Sequence, residues 1–425
     1  MMKLPRLSPR GVWTLAFAAS FILGGNASAQ VPTYPFGGRV KYVDGYLTVH
    51  LAGTPEEMGR QQGMWLGGIV RRMIQDLIYE GTTYGGEESY RRLIKGAKVM
   101  DRFQPPEVRA EMRALAEAAN VKYYDVVLAQ LFGDVRRGQQ CTSFAALGPA
   151  TGNGQCVVGR NMDYYDYGVS KYAAALVYYE PSEGIPFVTA TWVGILNGWT
   201  LMNQKGIVVA NNSSYGGTDS LKGISTCFML RKVAQFASTV EEGIEIVKQT
   251  PRACGTNMLI AGGSPPRAAI VEFDHENVAV RWAEDGLVAA ANSFRKLYQV
   301  EEEETEEEDD DTYTYYYKSR DDTLLELLQE DYGRIDDSKN YAAAPGVPMR
   351  GMNLQCALLF PNELKFRISI GSSSAADERF RAFKLTPQGL EADDSPGANL
   401  ARLWEPGNYP MPSYTSANPL DEVPF

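Results

Sequence analysis

Through the first third of the chain, apolar positions recur with helical spacing, and the pattern opens on a clear start signal. In Thr54-Pro55-Glu56-Glu57 the threonine can cap a helix, the proline suits its first turn, and Glu57 completes a capping box. The helix so begun runs from Met58 towards Leu77. Its glycines, Gly59, Gly63, Gly67 and Gly68, weaken it as a free-standing unit and therefore point to close packing against a neighbour. Further helices are predicted over 90–100 and 106–119, so residues 30–140 read as mainly helical. The period changes at Cys141. Short runs rich in Val, Ile, Tyr and Trp, bounded by Gly, Pro and Asn, predict strands over 173–179, 187–193, 206–210, 258–261, 268–273 and 287–291. Two helical patterns, at 228–236 and 240–248, interrupt them. After Arg334 the chain reads as loops, one strand near 365–370, and a Pro-rich tail beyond Thr386. Runs of strands beside helices define an α+β layered fold.

Composition narrows the function classes. The 425 residues are 44% apolar and 22% charged, as in globular proteins. The net charge of −11 is concentrated in one place, because Glu301 to Asp311 carries ten acidic side chains. Without that run the chain is close to neutral and has no basic footprint for nucleic acid. The run itself reads as a solvated surface insertion. Residues 1–29 read as a secretory leader: Lys3, Arg6 and Arg10 precede an apolar stretch, and Ala27-Ser28-Ala29 supplies the small residues before Gln30. The apolar stretch is shorter than the ~20 residues a membrane span needs, and no later segment is long enough. A secreted or periplasmic protein without stable membrane insertion is therefore expected.

The chain has two histidines, His50 and His275, and no C-x-x-C pair, phosphate loop, GxGxxG turn or G-x-S-x-G elbow. No metal or cofactor is implied. His275, in Asp274-His275-Glu276, reads as a turn residue. The informative stretch is Cys141-Thr142-Ser143-Phe144, followed by Gly159-Arg160-Asn161-Met162-Asp163. A cysteine nucleophile needs a group to take its proton. With so few histidines, the base is sought elsewhere. Cleavage before Cys141 would free an α-amino group whose ordinary pKa is about 7.7–8.0, suited to that task.

These residues resemble the N-terminal-nucleophile hydrolases, above all the secreted penicillin acyltransferase-like family. The same Cys-Thr-Ser and Gly-Arg-Asn-Met-Asp pattern is similar to that of acid ceramidase and, more loosely, bile salt hydrolases. Gly53-Thr54-Pro55-Glu56-Glu57-Met58-Gly59-Arg60-Gln61-Gln62-Gly63 resembles the acyltransferase propeptide motif. The resemblance implies an αββα four-layer sandwich, with a helical propeptide at 30–140 and a catalytic core from Cys141 to the end. It makes Cys141 the nucleophile and Arg160 and Asp163 a charged pair beside it. Asp163 would hold the amine and Arg160 would stabilise the thiolate. Asn292 would donate to the oxyanion, with Asn212, or its neighbour Asn211, as second donor or substrate contact. Arg320 matches the arginine that follows the oxyanion asparagine in the ceramidase and bile-salt branches. Arg379 imitates a bile-salt-type Arg-Phe pair but reads as a surface residue after the last strand.

The function implied is a self-processing amidohydrolase or acyltransferase acting on a small N-acyl amide, its two cleaved chains remaining associated. Two alternatives remain: a ceramidase-like lipid amidase, and a non-catalytic binding protein whose chain stays whole. With Cys141 reserved, the even number left, Cys156, Cys227, Cys254 and Cys356, permits two disulfides, of which no more than one is expected. The apolar settings of Cys227 and Cys356 favour buried free thiols.

Overall fold

The computed structural model describes residues 39–136, 138, 140–298 and 319–395. The expected leader, the acidic run and the tail beyond 395 lie outside them. No helix among the described residues is long and apolar enough to cross a membrane.

The described chain begins with a hairpin, β1 (Arg39–Val43) and β2 (Tyr46–Gly53). Its turn, Asp44-Gly45, has φ of 45° and 83°, as a two-residue type I′ turn requires. Four helices follow: α1 (Pro55–Met73), α2 (Glu87–Asp101), α3 (Pro106–Ala119) and α4 (Tyr123–Arg136). The expected capping box opens α1, with Glu57 N donating to Thr54 Oγ1 and Thr54 N donating to Glu57 Oε2 at 2.7 Å. Its glycines do admit a neighbour. A Cβ on Gly59 would lie 2.2 Å from Glu111 O, and one on Gly63 2.8 Å from Leu115 O, both on α3.

Strands dominate from there: β3 (Gln140–Gly148), β4 (Gly154–Asp163), a short α5 (Ser170–Ala173), β5 (Ala174–Pro181), β6 (Phe187–Trp192), β7 (Thr200–Asn203) and β8 (Ile207–Ser213). Helices α6 (Thr226–Phe236) and α7 (Val240–Gln249) precede β9 (Thr256–Gly262), β10 (Arg267–Phe273), β11 (Val278–Trp282) and β12 (Leu287–Ala290). Helix α8 (Arg320–Glu330) leads to β13 (Asn353–Phe360), β14 (Lys365–Ile370), β15 (Arg381–Thr386) and β16 (Gly389–Ala392).

Two sheets result, in the orders β1-β2-β5-β6-β7-β8-β9-β10-β11 and β12-β3-β4-β13-β14-β15-β16. All neighbours are antiparallel except β2 and β5. Leu176, Val188, Val208 and Ile270 of the first sheet meet Val158, Leu359, Phe366 and Ile368 of the second in the core between them. The outer face of the first sheet, including Val177, Leu201 and Ile260, packs under helical residues such as Met58, Leu115, Met229 and Val233. The outer face of the second carries Phe144 and Leu358 under Leu324 and Leu328 of α8. This is the αββα sandwich.

Three features differ from the sequence expectation. Residues 39–53, inside the stretch expected to be helical, are strands, and β2 joins the first sheet beside β5. Helix α4 lies inside the stretch read as helical, though no separate helix was marked there. Strands β13, β15 and β16 fall where loops and tail were expected. In β13 every residue is buried, so neither face is marked by polar alternation. Arg379 is exposed as expected but precedes β15 and β16 instead of following the last strand. His275 lies in the β10–β11 turn, Nδ1 2.6 Å from Arg252 O. All five cysteines are buried free thiols.

Candidate active site

Side chains alternate along a strand, and this sorts the residues around Cys141 onto two faces of the second sheet. Cys141 and Ser143 share the inward face with Ala145, whose side chain belongs to the core between the sheets. Across the ladder, Cys141 stands opposite Met162 and Ser143 opposite Arg160. Arg160 is fully buried. Its Nη2 lies 3.3 Å from Cys141 Sγ, its Nε donates to Trp199 O at 3.3 Å, and its Nη1 has no partner. A desolvated guanidinium beside sulfur favours negative charge there.

Asp163 faces the other way. It is three residues from Arg160 on the same strand, and an odd offset puts the two on opposite faces. They form no ion pair with each other, and each reaches the Cys141 region from its own side. Asp163 instead binds Arg320 of α8, Oδ2 to Nη1 at 2.7 Å, and accepts from Asn353 Nδ2 at 2.8 Å. The Arg320 Nη2 reaches Cys141 O at 3.2 Å, Gln140 Oε1 at 3.3 Å and Asn292 Oδ1 at 2.6 Å. One guanidinium thus touches residues on both sides of the Gln140–Cys141 bond. Arg160 approaches the sulfur from the inner face, and Asp163–Arg320 holds the backbone from the outer one.

Asn292 follows β12 and meets Cys141 through its carbonyl: Cys141 N donates to Asn292 Oδ1 at 3.0 Å. Its Nδ2 donates to Ser213 O at 2.6 Å, so donation to an oxyanion requires that bond to be exchanged. Asn212 bridges the two sheets, its Nδ2 donating to Ser143 Oγ at 2.7 Å while its Oδ1 is buried without a partner. Asn211, one residue earlier, points to the opposite face and donates only weakly, to Ser213 Oγ at 3.5 Å. The structure therefore brings together Cys141, Arg160, Asp163, Asn212, Asn292 and Arg320.

Several supporting residues carried no sequence signal. Asn257 Nδ2 donates to Ala291 O and Ser293 O, bracketing Asn292. The buried Glu272 carboxylate accepts the backbone N–H groups of Arg295, Lys296 and Leu297. Arg295 then clamps α8, with Nη2 at 2.9 Å from Asp321 and 2.8 Å from Asp322. That clamp fixes Arg320 against Asn292 across the acidic insertion. A β-bulge at Leu354, where Asn353 pairs with Asp163 and Gln355 with Met162, turns Asn353 onto the carboxylate.

A cysteine second in β3, inside an αββα sandwich and beside a buried arginine, is the arrangement that the sequence resemblance to N-terminal-nucleophile hydrolases implies. Residues 150–340 match the family model described as acyl-coenzyme A:6-aminopenicillanic acid acyl-transferase. An uncharacterized protein of Archaeoglobus fulgidus is 25% identical over 349 residues, covering 70% of this chain and 57% of that protein. The N-acylethanolamine-hydrolyzing acid amidase of Oryctolagus cuniculus is 22% identical over 201 residues, 45% of this chain and 55% of the relative. The chain thus spans little more than half the length of these curated relatives. Among solved structures, the Caenorhabditis elegans ortholog of that amidase is 17% identical, with a TM-score of 0.41, over 56% of this chain and 96% of that one.

Proposed function

We propose that this protein is an exported, self-processing cysteine amidohydrolase that cleaves the linear C–N bond of a small N-acyl amide. The observation that carries the reading is the Arg160 guanidinium 3.3 Å from Cys141 Sγ, on the residue whose nitrogen Asn292 already holds. In the first reaction the Cys141 thiol attacks the Gln140 carbonyl, and the acyl group passes from nitrogen to sulfur. Water then hydrolyses the thioester, leaving a Gln140 carboxylate and a free Cys141 α-amine. That amine serves as the base in turnover. It takes the thiol proton, the thiolate attacks the substrate carbonyl, and the proton passes to the leaving amine. Water attacks the acyl-thioester in turn, releasing the acid and restoring the thiol. Arg160 steadies the charge on sulfur, Asn292 and Asn212 flank the reacting carbonyl, and Asp163–Arg320 keeps the strand end in place. Water is the abundant acceptor, so hydrolysis is favoured over acyl transfer. The amidase relatives support an N-acylethanolamine-like substrate, which keeps a lipid amidase as the second reading.

The test is N-terminal sequencing and mass spectrometry of purified protein, followed by assay on N-acyl amides of graded chain length. Two associated chains beginning near Gln30 and at Cys141 are expected, with Cys141→Ala remaining whole. An active preparation lacking a Cys141 terminus would sink the self-processing proposal. Turnover confined to long acyl chains would select the lipid amidase.

A further inference from the structure

The connection between β6 and β7, residues 193–199, is a loop buried along its whole length. A buried loop cannot hand its backbone polar groups to water, so they must find partners in the protein. Val193 N and Ile195 N donate to the Ala173 and Trp192 carbonyls, three side chains hold Gly194 and Leu196, and two of the three come from upstream of Cys141. Gln62 of α1 accepts the Gly194 N–H at 2.7 Å. Gln130 of α4 makes two bonds, accepting from Leu196 N at 2.7 Å and donating to Gly194 O at 2.8 Å. Arg231 of α6 donates to Leu196 O at 2.6 Å and is itself held by Glu111 of α3, Nη2 to Oε2 at 2.7 Å. Gln62, Gln130, Glu111 and Arg231 are all at least 95% buried. The loop ends at Trp199, whose carbonyl accepts from Arg160 Nε, and Arg160 Nη2 is the group that meets Cys141 Sγ.

We propose that Gln62 and Gln130 are positioning residues: they fix residues 194–196 so that the Trp199 carbonyl aims Arg160 at the Cys141 sulfur. The helical segment before Cys141 is then a working part of the site after cleavage, and not only a leader to the mature core. Gln130 carries most of this duty because it grips the loop from both its donor and its acceptor, whereas Gln62 makes one bond. The inference rests on the reading of Cys141 as the nucleophile.

Sign separates this role from a merely structural one. A variant that only destabilises the fold opens the chain more often and raises the rate at which Cys141 is alkylated. A variant that misplaces Arg160 removes the cation from the sulfur and lowers that rate. The experiment compares Gln130→Met, Gln62→Met and Arg160→Met in the full processed protein. Labelling of Cys141 by iodoacetamide at pH 7 is followed by mass spectrometry, alongside kcat, KM and thermal melts. Gln130→Met should lose about tenfold in labelling rate and a comparable factor in kcat, with KM nearly unchanged. Gln62→Met should show the same pattern more weakly, and it serves as the test if Gln130→Met does not fold. Slower labelling in Arg160→Met with native rates in the folded glutamine variants would overturn the proposal alone. Native labelling in all three would overturn it together with the role given to Arg160.

Discussion

The β3–β4 hairpin carries a cysteine at each end, and the two ends make very different environments from the same pair of strands. At one end Cys141 Sγ faces the Arg160 guanidinium, its backbone is gripped by Asn292 and Arg320, and Asp163 completes the arrangement from the far side. At the other end Cys156 is equally buried, but it lies in the core between the sheets with Val158, Leu359 and Phe366. Burial alone pushes its thiol up to about 12. Both cysteines are about 1% exposed, so accessibility does not distinguish them. A neighbouring cation does. The hairpin places a cation beside one sulfur and only apolar side chains beside the other, which is the contrast that governs thiol reactivity.

The largest expected effect comes from breaking the polar end at its outer face. Arg320→Met leaves the buried Asp163 carboxylate without its cation, and losing one partner of such a pair costs about 3–5 kcal/mol. It also releases Cys141 O and Asn292. The variant should remain uncut, turn over no substrate and melt well below the wild type. Asp163→Asn, which keeps a group able to bond Arg320, should retain more stability while self-cleavage still slows. A melt of Arg320→Met coinciding with the wild type would show that the outer pair does not hold the strand end.

A smaller effect sharpens the contrast between the two thiols. In folded, processed protein at pH 8, iodoacetamide should label Cys141 and spare Cys156. With a thiol pushed up to about 12, only about one Cys156 in 10⁴ is ionised at that pH. Cys156→Ala should leave kcat unchanged, whereas Cys141→Ala abolishes turnover. Mass spectrometry of tryptic peptides decides it, and labelling of both at similar rates would erase the distinction.

How much of this was legible in the sequence depends on how local each cause is. The Thr54–Glu57 capping box is a four-residue event and forms as read. Asp44-Gly45 is equally local, a hairpin turn written in two residues, but the long helical stretch after it dominates the pattern of residues 30–140. Cys141, Arg160 and Asp163 stand out because the motif holds them close in sequence. Their faces follow from strand geometry, since an offset of three cannot put Arg160 and Asp163 on one side. Arg320 and Asn292 carry no pattern of their own and were reached only through family resemblance. Gln62 entered only as one letter of the propeptide-like motif, and Gln130, Trp199, Asn257 and Asn353 were not legible at all. Each acquires its partner from an element far away in the chain, and nothing nearby marks a buried amide as different from an exposed one.

The smallest effect concerns stability at high pH and tests the apolar end directly. Burial raises the Cys156 thiol from about 9 to about 12, and it also raises Cys227 and Cys356. For each, the folded form holds its proton to a higher pH than the unfolded form. The protonated thiol therefore contributes full stability below about pH 9, and that contribution is lost as pH rises towards the folded-state value. Wild-type protein should lose stability progressively above pH 9. Cys156→Ala removes one of the groups responsible, so its alkaline decline should be shallower, though its stability at pH 7 falls slightly through the lost sulfur contacts. Denaturant titrations at pH 7, 9 and 10.5 measure the difference. Parallel declines in the two proteins would mean that Cys156 ionises as readily in the fold as out of it, and the contrast between the hairpin's two ends would lose its electrostatic basis.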